Sequence, residues 1–207
     1  MSEPRVLVLD HRDSFVHLLA DQIARLGARV DVVRADVSAA AFDACVVQSR
    51  PDLVVLSPGP GHPREAELAC DWVRSRREVP TLGVCLGHQV IGLMAGADVE
   101  RAAQPAHGES CRLRWHASFA GAAFEPHMPV ARYHSLVVVP KPDCSVRVCA
   151  TTRDGADEVV MAIEHKELPY VGVQFHPESV LTPHGQPLLE RVLVWAQARS
   201  AESEVKR

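Results

Sequence analysis

A chain of 207 residues, 47% hydrophobic and 23% charged, has an ordinary globular composition and enough apolar surface to fold without staples. Its formal net charge of −4 excludes the basic footprint of a nucleic-acid binder or an electrostatic hold on an anionic membrane, and no apolar run is long enough to span a bilayer. The cysteines (Cys45, Cys70, Cys85, Cys111, Cys144, Cys149) form no CxxC pair, and no targeting segment precedes the first strand; the expectation is a soluble cytoplasmic protein with reduced thiols.

In chain order, Val6-Leu7-Val8-Leu9 is a continuous apolar run, as in a strand buried on both faces of a parallel sheet. Asp13 and Ser14 offer a helix N-cap, Phe15, Leu18, Leu19, Gln22, Ile23 and Leu26 follow at helical spacing, and Gly27 stops the helix. A strand over 30–34, an alanine-rich helix over 38–49 and a strand over 53–56 come next, the last ending abruptly in Ser57-Pro58-Gly59-Pro60-Gly61. A helix over 65–77 and a strand over 81–84 complete an alternation that predicts an α/β fold, a doubly wound, mostly parallel sheet with flanking helices. Residues 98–173 hold short β-rich runs (137–139, 145–150, 159–163) without a crossover helix, expected as an antiparallel β edge of the same domain. A final helix carries Leu188, Leu189, Val192, Leu193 and Ala196 on one face. No repeat or linker divides the chain, which predicts one domain over 1–199 and a charged, disordered tail over 200–207.

The densest chemical signal is Gly83-Val84-Cys85-Leu86-Gly87-His88-Gln89, a strand-to-helix bend with the G-x-S-x-G nucleophile-elbow pattern and cysteine in the serine place. Glycines on both sides admit a tight turn, the sulfur comes to the carboxyl end of the sheet, and the helix N-terminus favours the thiolate. The Leu86 N–H is then placed to help stabilise an oxyanion. On this segment alone two readings stand: a nucleophile, or a buried structural cysteine.

A thiol nucleophile needs a base. His176, in Gly172-Val173-Gln174-Phe175-His176-Pro177-Glu178-Ser179, emerges just past an apolar strand, and Glu178 two residues on can orient it if the segment is extended. Without a nucleophile elsewhere, His-Pro-Glu would be no more than a polar turn. The stiff loop 57–63 can bring backbone N–H groups close to a substrate, while Arg132-Tyr133-His134-Ser135-Leu136 is uninformative by itself. Metal-binding, phosphate-loop and dinucleotide patterns are missing, so neither a metal site nor a cofactor is expected.

Together, 83–89, 172–179 and 57–63 resemble the class I (triad) glutamine amidotransferases, over most of the chain from Leu7 to about Val194. The 57–61 loop, Arg132-Tyr133-His134-Ser135-Leu136 and the stretch 176–185 look like the chorismate-linked branch, which contains anthranilate synthase component II and the glutamine subunit of aminodeoxychorismate synthase. The resemblance implies a Cys85–His176–Glu178 triad hydrolysing L-glutamine to glutamate and ammonia through a glutamyl thioester. It implies oxyanion N–H groups from Gly59 and Leu86, contacts to glutamine from Gln89, Ser135 and Leu136, and a pocket lined by Pro60 and Gly61. It also implies delivery of ammonia to a chorismate-utilising synthase subunit, which 207 residues leave no room for and which is expected as a separate chain.

Two departures stand out. Asp10-His11-Arg12-Asp13-Ser14-Phe15 replaces the family's usual Asp-Asn-x-Asp-Ser-Phe, and His107-Gly108-Glu109 replaces a common His-Gly-Lys. The alternatives are an aminodeoxychorismate synthase component of the folate pathway, a glutaminase of another synthase, a stand-alone Cys–His hydrolase, and a non-catalytic regulatory module. The last would be expected to have lost its nucleophile or base.

Overall fold

The structure, a computed structural model, describes residues 3–75 and 77–205. Its first half runs β1 (Arg5–Asp10), α1 (Val16–Arg25), β2 (Arg29–Arg34), α2 (Ala39–Ser49), β3 (Leu53–Leu56), α3 (Glu67–Arg74), β4 (Thr81–Val84) and α4 (Leu86–Met94). The second half runs β5 (Asp98–Arg112), β6 (Arg114–Trp115), β7 (Pro129–Val139), β8 (Val146–Asp154), β9 (Asp157–His165), β10 (Tyr170–Val173) and α5 (Gly185–Val205). One eight-stranded sheet has the order β2-β1-β3-β4-β10-β9-β8-β6. Its first five strands are parallel, and β9, β8 and β6 extend it as an antiparallel edge.

Strand periodicity explains why the central strands are apolar throughout. Val6 and Val8 face one side and join Val55, Val84, Leu19, Ile23, Leu188 and Val192 in one core, whereas Leu7 and Leu9 face the other and join Phe42, Trp72, Val90 and Ile91. Helices α1 and α5 therefore cover one face, and α2, α3 and α4 the other. The carboxyl ends of β3, β4 and β10 lie side by side at the centre, where a doubly wound sheet presents its site.

The structure corrects several local expectations. Helix α1 starts at Val16 rather than at an Asp13 or Ser14 cap, because the Asp13 carboxylate accepts from the Phe15 N–H (2.8 Å) and closes its own turn first. Leu18, expected on the buried face, is 39% exposed. The helix expected over 65–77 is two pieces: a 3-10 turn Pro63–Glu65 with a His62–Glu65 capping box, then α3 after a break at Ala66; position 76 lies outside the described residues. Val137–Val139 does not join the main edge, since the 15-residue β5 pairs with all of β7 as a separate two-stranded sheet. Helix α5 runs on into the segment expected as a tail, to Val205, and the Ser200 hydroxyl donates to the Asp52 carbonyl (3.3 Å). Positions 206 and 207 lie outside the described residues.

Candidate active site

Cys85 is the single residue between the end of β4 and the start of α4. Its φ of 51° and ψ of −99° form a strained bend for a non-glycine residue, of the order of 1–3 kcal/mol. Two close approaches enforce the bend. A Cβ on Gly83 would sit 2.4 Å from the Gly87 carbonyl, and a Cβ on Gly87 would sit 2.1 Å from the Leu56 carbonyl oxygen. Hydrogen bonds then fix the backbone: Cys85 N–H donates to Val173 O (2.9 Å) and Gln89 N–H to Cys85 O (3.1 Å). As the first helical residue, Leu86 has an N–H with no carbonyl partner inside α4, which leaves a donor beside the sulfur.

His176 follows β10 through a kink, not an extended run. Its N–H donates to Ala131 O (3.2 Å), and its carbonyl accepts from Ser179 N–H (3.3 Å), so Pro177 and Glu178 form a turn. The extended geometry expected of 176–178 is therefore wrong, yet the turn brings the side chains together: His176 Nδ1 and Glu178 Oε1 are 2.6 Å apart, at 2% and 0% side-chain exposure. Thr182 locks the turn by accepting from Ala131 N–H (2.9 Å) and donating to His176 O (2.7 Å). Phe15 and Tyr133 hold the imidazole edge-on, each with its ring centroid 5.2 Å away. Burial opposes charge on His176, but the Cys85 sulfur and the Glu178 carboxylate outweigh it and raise the imidazole above its usual range. The sulfur thus lies within electrostatic reach of the ring, while Nε2 has no partner at hydrogen-bond geometry. Glu178 Oε2 is likewise unpartnered.

The other expected site residues divide. Gly59 is packed tightly, since a Cβ there would meet His11 Cβ at 2.5 Å and Leu86 Cδ2 at 2.6 Å, so the two expected oxyanion donors belong to adjoining residues. Pro60 and Gly61 are exposed on the loop tip, Pro60 and Leu86 lining a hollow of about 350 Å³ shared with His11 and Arg12. Gln89 is buried, and its amide nitrogen donates to Leu136 O (3.1 Å), tying α4 to β7. Ser135 is exposed next to it. Another hollow, about 680 Å³ and lined by Tyr170, Lys166 and Trp195, opens at the amino end of β10, away from Cys85.

Gln174, Thr182 and Tyr133 were given no role by the sequence alone. Gln174 is fully buried, its amide nitrogen 3.6 Å from Cys85 Sγ. A polar residue at the end of an apolar strand, two positions before His176, was the available signal. Thr182 and Tyr133 had none, because their contacts are made across the fold.

The other buried histidines are neutral. Burial lowers His88 to about 3, and lowers His11 and His134 to about 4, so none is an imidazolium at neutral pH. His134 lies between Arg132 Nε (3.1 Å) and Leu136 O (3.0 Å). All six cysteines are free, and burial pushes the Cys149 thiol up to about 12 and raises Cys70 and Cys111. Among the described residues, no three His, Cys, Asp or Glu side chains gather as metal ligands would, and no helix is long and apolar enough to cross a membrane.

Comparison with known proteins gives a consistent picture. Residues 7–196 match the family described as glutamine amidotransferase class-I. The chain is 41% identical to the pyocyanine-specific anthranilate synthase component 2 of Pseudomonas aeruginosa, covering 98% of this chain and 99% of that one. It is 40% identical to anthranilate synthase component 2 of Mycobacterium tuberculosis, over 97% and 89% of the two chains. In fold it is similar to a Thermoplasma acidophilum protein described as a GMP synthase subunit, with a TM-score of 0.84, 22% identity and 99% of each chain covered.

Proposed function

From the premise that the chain belongs to the class I glutamine amidotransferases, we propose that it works through a Cys85–His176–Glu178 triad and supplies ammonia to a separate subunit that aminates chorismate to anthranilate. The observation carrying this reading is the buried 2.6 Å His176–Glu178 pair, within electrostatic reach of a cysteine held on a strained bend. A lone structural cysteine has no need of any of the three.

The steps follow from these positions. The Cys85 thiol gives its proton to His176, and the sulfur attacks the carboxamide carbon of L-glutamine. Charge developing on the amide oxygen meets the N–H groups of Leu86 and Gly59. His176, held in one orientation by Glu178, protonates the departing nitrogen, and ammonia leaves a glutamyl thioester on Cys85. The imidazole then takes a proton from water, which attacks the thioester, and glutamate departs as the sulfur regains its proton. Gln89, Ser135 and Leu136 are the residues proposed to hold the glutamine backbone, with Pro60 and Gly61 at the pocket edge. Ammonia released into bulk water would protonate and lose its nucleophilicity, which is the physical reason for a docked acceptor. This chemistry is proposed to take place in the cytoplasm and in a single domain over 1–199, with the acceptor as another chain.

The test uses the complex with its chorismate-aminating partner. Cys85→Ala abolishes glutamine-dependent anthranilate formation and leaves ammonia-dependent formation intact. Equal loss of both activities contradicts the division of labour, and aminodeoxychorismate as the product reassigns the partner to the folate pathway.

A further inference from the structure

The geometry points to Gln174 as a positioning residue that presents an N–H to the Cys85 sulfur and holds it as a thiolate, an inference that rests on Cys85 being the nucleophile. The direction in which the amide faces follows from its neighbours. Leu136 O can only accept, so the group 3.1 Å from it on Gln89 is the amide nitrogen. That same nitrogen lies 3.1 Å from one end of the Gln174 amide, which must therefore be its oxygen. The other end of Gln174, 3.6 Å from Sγ, is left as nitrogen. The Gln89 amide nitrogen thus donates both to Leu136 O on β7 and to the Gln174 amide oxygen, and Gln174 donates in turn to the sulfur; the network fixes an orientation that a single amide could not fix alone.

Burial makes this contact consequential. Gln174 is 0% exposed and Cys85 is 7% exposed, so little water competes for the sulfur. The Gln174 backbone is also fixed, its N–H donating to Met161 O at 2.9 Å. An N–H donor stabilises a thiolate far more than a thioester sulfur, whose lone pairs are weak acceptors. The contact therefore matters twice: before attack, and when water expels the sulfur from the thioester and negative charge returns to it. His176 supplies a proton path, and Gln174 supplies a fixed dipole.

Gln174→Met keeps the length and apolar bulk of the side chain and removes the donor. The readout is alkylation of Cys85 by iodoacetamide across pH, followed by mass spectrometry of the Cys85 peptide, with kcat and KM for glutamine hydrolysis measured in the complex. Loss of one charge-assisted hydrogen bond slows alkylation at neutral pH by about tenfold or more and moves the profile to higher pH. It lowers kcat about ten- to hundredfold while KM stays within about threefold. A profile that superimposes on the wild type overturns the inference. Should Gln174→Met fail to fold, the wild-type chain still decides: the Gln174 side-chain amide resonance shifts with pH in step with Cys85 alkylation, and a resonance that stays still refutes the contact. Failure of the two readings is distinguishable. Hydrolysis that survives Cys85→Ala removes the nucleophile itself, whereas hydrolysis lost in Cys85→Ala beside an unmoved Gln174→Met profile removes only the role of Gln174.

Discussion

Glu178→Gln isolates the charge of the buried pair from its shape. The carboxylate lies 2.6 Å from His176 Nδ1 with essentially no solvent access, so little screening weakens the interaction. Its second oxygen, Oε2, has no partner, and a glutamine can turn its nitrogen into that place while keeping an oxygen toward Nδ1. The imidazole then keeps its tautomer and orientation, and what is lost is the negative charge that stabilises the imidazolium during proton transfer. Hydrogen bonds to charged groups contribute about 1.5–3 kcal/mol, so the expected fall in kcat is roughly 10- to 150-fold. KM for glutamine stays close to the wild-type value, because the proposed substrate contacts lie on other residues. The assay is steady-state glutamine hydrolysis in the synthase complex, with a melting curve showing that the variant is folded. A folded Glu178→Gln enzyme within about threefold of wild-type kcat refutes the reasoning and returns Glu178 to the status of a polar turn residue.

Two further outcomes concern the frame around the site. Gly87→Ala places a Cβ 2.1 Å from the Leu56 carbonyl oxygen, a rigid backbone atom, so β3 and α4 must separate; a loss of about 3 kcal/mol or more in urea unfolding is expected, and an unchanged midpoint contradicts the packing described for the bend. Stability falls on acidification: His11, His88 and His134 have folded values near 4, 3 and 4 against 6.5 when unfolded, so the unfolded chain binds the extra protons as pH drops below 6.5. The loss continues down to about 4 for His11 and His134 and about 3 for His88, and by pH 5 each histidine costs at most about 2 kcal/mol. His176, raised rather than lowered, contributes stability that is already complete below its unfolded value of 6.5, so it does not offset the loss there. Urea midpoints at pH 7 and pH 5 check this, and equal midpoints count against neutral burial of the three rings.

Much of this architecture was legible in the residue pattern, and the reasons are local. Val6 to Leu9 and Leu53 to Leu56 are apolar without alternation because both sheet faces are covered, and Gly83 and Gly87 announce a bend that excludes side chains. What escaped depends on contacts between distant segments. Nothing near Val137 to Val139 reveals that β5 will take up the whole of β7, and nothing near Ser200 reveals the Asp52 carbonyl that receives its hydroxyl. The Glu178 assignment reached the right partner through the wrong backbone: an extended segment was expected where a turn held by Thr182 brings the carboxylate back to the imidazole. Gln174 was in plain view within the motif, but its meaning requires Gln89 and Leu136, which lie far away in sequence.

The most direct measurement is an intact-mass spectrum of the enzyme quenched in acid during turnover with glutamine, followed by peptide mapping. A glutamyl adduct confined to the peptide carrying Cys85, and missing from Cys85→Ala, is the result predicted here. An adduct on Cys111 or any other residue, or full turnover by Cys85→Ala, would contradict it.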